Sequence, residues 1–197
     1  MSRQFRLLSL LPLLGALAST AGAQLPQVRQ HRSTNEHAIL SEYFELLAIP
    51  NVASDSAGIA RNADFIVRML DKRGLSPKKL TGANSKAPAL IYGEWKVPGA
   101  TRTIVLYAHY DGQPTDSAKW TGSAPWRPVL RTAALENGGR IIPMPPAGTR
   151  FDPESRIYAR SASDDKAGVM AIVAAIDALR AARINPTVNV KLVFDGE

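Results

Sequence analysis

No cysteine occurs in the 197 residues, so neither a disulfide framework nor thiolate ligands can hold this chain together. Stability has to come from packing and from any metal it binds. Histidine is nearly as scarce: His31, His37 and His109 are the only three. Beyond the N-terminus no stretch reaches the roughly 18 uninterrupted apolar residues of a membrane-spanning helix, and no span is expected. A Gly-x-Ser-x-Gly elbow, a Gly-x-Gly-x-x-Gly fingerprint and a phosphate-binding loop ending in Lys-Ser/Thr are all absent, which argues against serine-hydrolase, dinucleotide-binding and nucleotide-hydrolysing chemistry. The net charge is +7, yet its carriers (Arg29, Arg32, Lys72, Arg73, Lys78, Lys79, Arg180, Arg183) are scattered and not interleaved with aromatics. That pattern reads as a solvated basic surface, with no nucleic-acid partner.

What is present begins with an export signal over residues 1–23. Arg3 and Arg6 form a charged start, Leu7 to Ala18 is apolar, and Ala21-Gly22-Ala23 offers a small-x-small cleavage site. The expected mature chain starts at Gln24, is periplasmic or secreted, and is long enough for one core. Residues 24–33 are polar and read as a loose arm. Residues 34–197 read as a single domain without internal repeats. Ser33 and Glu36 have capping-box spacing, and Ile39, Leu40, Tyr43, Phe44 and Leu47 then share one helical face up to Pro50. A second helix is expected from about Ala57 to Arg73, with Ile59, Ile66, Val67 and Leu70 inward and Gly74 at its stop.

Ala89 to Trp95 and Thr103 to Ala108 follow as strands, and the continuous apolar run of the latter predicts burial on both faces. Residues 111–152 are rich in Gly, Pro and polar side chains, with Asn137-Gly138 as a hairpin tip. Ile157 to Ala159 forms a short strand, Val169, Ile172, Val173, Ile176 and Leu179 mark an alanine-rich helix ending near Ala182, and Val188 to Phe194 returns as a strand. Alternation of helix and apolar strand predicts an α/β domain of three layers with a largely parallel sheet, whose sites gather at the carboxyl ends of its strands.

Two short motifs carry chemistry. His109-Tyr110-Asp111 closes the run from Thr103, and Asp164-Asp165-Lys166 opens the alanine-rich helix. An imidazole and a carboxylate brought together from strand ends suit Zn²⁺, and an acid two residues after the histidine can receive one ring N–H while the other nitrogen binds metal. A histidine at a strand end is as readily an ordinary hydrogen-bonded residue, and an acid opening a helix as readily its cap. Capping suits Asp165 better than Asp164, because adjacent carboxylates facing Asp111 would repel unless a cation lay among them.

The segments His109-Tyr110-Asp111-Gly112-Gln113-Pro114, Trp120 to Pro128, Tyr158 to Lys166 and Phe194-Asp195-Gly196-Glu197 resemble the co-catalytic dizinc metallopeptidases, a family that includes carnosinase-type dipeptidases, glutamate carboxypeptidase, aminoacylase and succinyl-diaminopimelate desuccinylase. The resemblance runs from about Glu36 to Glu197. It implies His109 as a zinc ligand, Asp111 as the catalytic-site residue that orients it, Asp164 as the ligand bridging two zincs, and a peptide after Asp164 that is often cis. It also implies hydrolysis of a dipeptide or of a C-terminal amide next to a free carboxylate. N-acyl amino acid hydrolysis, or peptide binding by a noncatalytic domain, are the alternatives. Gln113-Pro114 and Tyr110 lean toward the dipeptidase branch. Where the family has Glu-Gly-x-Glu-Glu, this chain has Asp195-Gly196-Glu197, so the general base and a further ligand are expected just past Glu197; the alternative is a register slip of one, which makes Glu197 the base. On that reading the chain is the N-terminal, truncated part of a catalytic domain and silent by itself, and a homodimer is expected only of the full-length protein.

Overall fold

The computed structural model describes residues 20–83 and 86–197, with side chains described from residue 26 on. Most of the expected leader, residues 1–19, lies outside the described residues. Four α-helices are formed: α1 (Thr20–Thr34), α2 (Glu36–Leu47), α3 (Ser56–Asp71) and α4 (Lys166–Ala181). The strands of the larger sheet are β1 (Lys78–Leu80), β2 (Leu90–Trp95), β3 (Thr103–His109) and β7 (Asn189–Asp195), and a smaller sheet holds β4 (Val129–Arg131), β5 (Ile141–Ile142) and β6 (Arg156–Tyr158).

The apolar periods locate α2, α3 and α4 within a few residues. Asp55 caps α3 by accepting from Gly58 N at 2.9 Å. Gly74, at φ +60°, reverses the chain so that Leu75 N reaches Leu70 O at 3.1 Å, an arrangement that glycine enters without a Cβ clash. The capping box expected at Ser33 does not form: Ser33 Oγ donates to Gln30 O at 3.0 Å, while Glu36 accepts from Arg32 and from Phe151 N. The reason is α1. The loose arm expected over 24–33 is instead helical and packs against α4, so Ser33 has no free helix end to cap.

Strand order in the larger sheet is β1-β2-β7-β3, with β3 and β7 parallel and the other two pairings antiparallel. The α/β class holds, but the pairing among the described strands is mixed rather than largely parallel, because β2 runs against β7. The core lies on one face of this sheet. Ile91, Gly93, Val190, Leu192, Phe194 and Ala108 are buried and share one face, where they join Ile66, Leu70, Val169 and Val173 from α3 and α4 in one core. The opposite face is open among the described residues, leaving Val105 58% and Tyr107 57% exposed. Among the described residues β3 is therefore covered only on the face toward α3 and α4.

The long connection after Asp111 is partly structured. β4 pairs antiparallel with both β5 and β6, and Asn137-Gly138 ends a 3₁₀ turn in the β4–β5 link, with Gly138 left-handed at φ 71°.

Candidate metal centre

Parallel pairing aligns His109 with Asp195, and Tyr110 N donates to Asp195 O at 2.7 Å. The carboxyl ends of β3 and β7 thus lie side by side, and the N-terminus of α4 reaches the same place. The three residues singled out from sequence meet there. His109 Nδ1 lies 2.8 Å from Asp111 Oδ1, and His109 Nε2 lies 2.9 Å from Asp164 Oδ1.

A neutral imidazole can donate from one nitrogen only. With a carboxylate against each nitrogen, the ring carries a proton on both, or a cation takes the place of the second proton. Burial by itself would lower the His109 pKa, but the hydrogen bonds to Asp111 and Asp164 outweigh it and hold the ring above its ordinary value. The two acids differ in freedom: the Asp111 side chain is 5% exposed and that of Asp164 84%. Asp111 is the fixed partner that sets the ring, and Asp164 is free to turn toward a ligand.

Asp165 looks inward. Its Oδ1 accepts from Gly168 N at 3.2 Å, as a helix cap, and its Oδ2 accepts from His109 N at 3.3 Å, so one carboxylate ties the start of α4 to the end of β3. The Asp164-Asp165 peptide is cis.

Several further residues stand near the site with contacts that the motifs do not specify. Lys166 is fully buried, and its ammonium donates to Leu46 O at 2.8 Å and Ile49 O at 2.9 Å; burial pushes it down to about 7. Tyr43 Oη donates to Ala162 O at 2.5 Å. Tyr110 is fully buried with its hydroxyl donated to Ala89 O, and burial, followed by Asp195 and Asp111, pushes that hydroxyl up so that it stays neutral. Glu197 has no ligand role in the motif pattern, yet ligand atoms of His109, Asp111 and Glu197 lie within 4.8 Å of one another.

The donor set fits zinc. Two ligands on a tetrahedral Zn²⁺, each about 2.0–2.1 Å from it, stand roughly 3.4 Å apart, so the His109–Asp164 pair would have to open by a few tenths of an ångström. Exposed Asp164 can supply that movement. Asp111 is engaged by Nδ1 and serves better as the outer partner that orients the ring. Clefts of about 690 and 600 Å³ lie elsewhere, against α1 and beside Phe151, and neither is lined by the three motif residues. The centre is an open mouth rather than a closed pocket.

Residues 105–197 match the family described as Peptidase family M20/M25/M40. The Cys-Gly metallodipeptidase dug1 of Schizosaccharomyces pombe is 24% identical over 160 residues, covering 76% of this chain and 29% of the relative. A succinyl-diaminopimelate desuccinylase of Acidovorax ebreus is 26% identical over 162 residues, covering 78% and 34%. Among solved structures, the M20 family metallo-carboxypeptidase Sso-CP2 of Sulfolobus solfataricus superimposes with a TM-score of 0.60 at 29% identity, covering 81% of this chain and 30% of that one. The chain spans about a third of the length of the curated relatives it matches.

Proposed function

We propose that this chain, which carries part of a catalytic domain of Peptidase family M20/M25/M40, supplies the His109 side of a zinc centre that hydrolyses small peptides, at dipeptide bonds or at C-terminal amides next to a free carboxylate. The observation that carries the proposal is the imidazole of His109 held between Asp111 and Asp164 at 2.8 and 2.9 Å. Asp111 keeps the proton on Nδ1 and so presents the lone pair of Nε2. Asp164 places an anionic oxygen beside that lone pair and has a second oxygen to offer, as sharing between two zincs requires. Asp165 ties the strand end to the helix start through the His109 and Gly168 main-chain N–H groups. Bound zinc supplies Lewis-acid polarisation of the amide carbonyl.

Similarity to a metallodipeptidase and to a metallo-carboxypeptidase supports the peptide reading. The similarity to a desuccinylase favours a second reading, an N-acyl amino acid as substrate. Export to the periplasm or medium belongs to the proposal on the strength of Arg3, Arg6 and the Leu7 to Ala18 run, and homodimer formation is proposed for the full-length protein alone.

The test is bound zinc together with hydrolysis of a dipeptide panel and an N-acyl amino acid panel by the full-length protein, with His109→Ala and His37→Ala as the pair of variants. His109→Ala is expected to lose zinc and nearly all turnover, and His37→Ala neither. Unchanged zinc in the His109 variant would sink the assignment. Zinc binding without turnover on either panel would favour a noncatalytic peptide-binding domain.

A further inference from the structure

We infer that Asn51 is a positioning residue of this centre, holding the loop that carries His109 at a fixed separation from the loop that carries Asp164. The inference rests on the metal reading above and adds a residue that touches neither ligand. Asn51 follows Pro50 in the turn between α2 and α3 and is fully buried. Its Nδ2 donates to Tyr110 O at 2.8 Å and to Ser161 Oγ at 2.9 Å. Its Oδ1 accepts from Trp126 Nε1 at 3.1 Å, and its main-chain oxygen accepts from Gly112 N at 2.8 Å.

Those partners identify the role. Tyr110 stands between His109 and Asp111, and Ser161 lies three residues ahead of Asp164. One primary amide therefore bonds, through two hydrogens of a single nitrogen, to both ligand-bearing loops. Asparagine is the side chain of this length with two amide hydrogens and a carbonyl oxygen. Aspartate cannot donate, and serine has a single hydrogen for two acceptors.

Packing leaves little slack. Val52 bridges Gly112 in parallel register, and a Cβ at Gly112 would collide with Ser161 Oγ while coming 3.0 and 3.1 Å from the Asn51 amide atoms. Arg160 joins the same loops from outside, donating to Gln113 O at 2.7 Å, but it is not buried. Losing the Asn51 amide would leave the buried Tyr110 O and the half-buried Trp126 Nε1 without these partners, and a buried polar group so stranded shifts position to find another. A shift at Tyr110 moves its neighbour His109 relative to Asp164.

The test is cobalt(II) titration of the chain followed by visible absorption, alongside thermal unfolding of the metal-free protein, for Asn51→Ala, Asn51→Asp, Trp126→Phe and His109→Ala. Both Asn51 variants are expected to bind cobalt about 10- to 100-fold more weakly, with an altered visible band, as loss of an outer-shell partner does. Trp126→Phe removes only the donor to Oδ1 and is expected to lower the unfolding temperature while keeping cobalt affinity. If Asn51→Ala does not fold, the near-isosteric Asn51→Asp carries the comparison. Unchanged cobalt affinity in Asn51 variants that remain folded, with His109→Ala losing its cobalt, would overturn the inference and leave the metal reading in place. Cobalt retained by His109→Ala, or none bound by the unsubstituted chain, would remove the metal reading and this inference with it.

Discussion

Two adjacent aspartates do different work here, and their surroundings separate them. Asp164 is 84% exposed at its side chain and meets only His109, whereas Asp165 accepts from Gly168 N and His109 N. Asp164→Asn is expected to weaken metal binding strongly with little change in unfolding temperature, because an exposed carboxylate contributes little to stability while a bridging ligand needs two anionic oxygens. Asp165→Asn is expected to do the reverse. An amide can replace one acceptor oxygen but not both, so a loss of about 1–2 kcal/mol in stability is expected with metal affinity largely kept. Calorimetry and a zinc titration on the same two variants measure this, and equal losses of metal would contradict the division of roles. His109, Asp111 and Asp164 were legible because each motif is local. Lys166 and Asn51 were not: Lys166 bonds to residues 120 and 117 positions away, and Asn51 to residues 59 and 110 away, separations at which no spacing rule operates.

At the level of elements, helix periods were readable and strand partners were not. The buried faces of α2, α3 and α4 repeat at helical spacing, whereas β7 enters between β2 and β3 from the far end of the chain, and nothing in Asn189 to Asp195 states its direction. The arm at 24–33 became helical through docking on α4, a tertiary effect that composition cannot carry. The helices themselves are tied by charge. Arg73, at the end of α3, donates to Glu42 of α2 at 2.7 Å and to Asp177 of α4 at 2.9 Å, and its side chain is 9% exposed. Burial would raise the Glu42 pKa, but its bonds to Arg73 and Lys72 prevail and lower it below the ordinary glutamate value. A carboxylate lowered in the folded state adds stability that is fully present above its unfolded value and lost as the pH falls through its folded value. Glu42→Gln is therefore expected to cost about 2 kcal/mol near neutral pH, since Asp177 still pairs Arg73. That difference from the unsubstituted chain should shrink steadily below about pH 4. A difference in unfolding temperature that stayed constant down to pH 3 would contradict the assignment.

For the molecule as a whole, the uncovered sheet face sets behaviour in solution. Val105 and Tyr107 project from it, and β3 is an edge strand among the described residues, so apolar surface and free backbone groups are presented together, a combination that favours self-association. Replacing both residues by threonine is expected to reduce light scattering of concentrated protein without lowering the unfolding temperature. A drop in unfolding temperature would show that this face is packed. The same openness bears on catalysis: a catalytic zinc takes three protein ligands and keeps one position free, while the described centre brings His109 and Asp164 together with Glu197 nearby.

The central claim is that the metal sits on Nε2 of His109, shared with Asp164 and with Asp111 behind the ring. Anomalous diffraction at the zinc edge from zinc-soaked crystals tests it directly. The account predicts a peak about 2.0–2.1 Å from His109 Nε2 and in reach of an Asp164 oxygen. A peak on the Nδ1 side, coordinated by Asp111 and Glu197 with Asp164 remote, would contradict it.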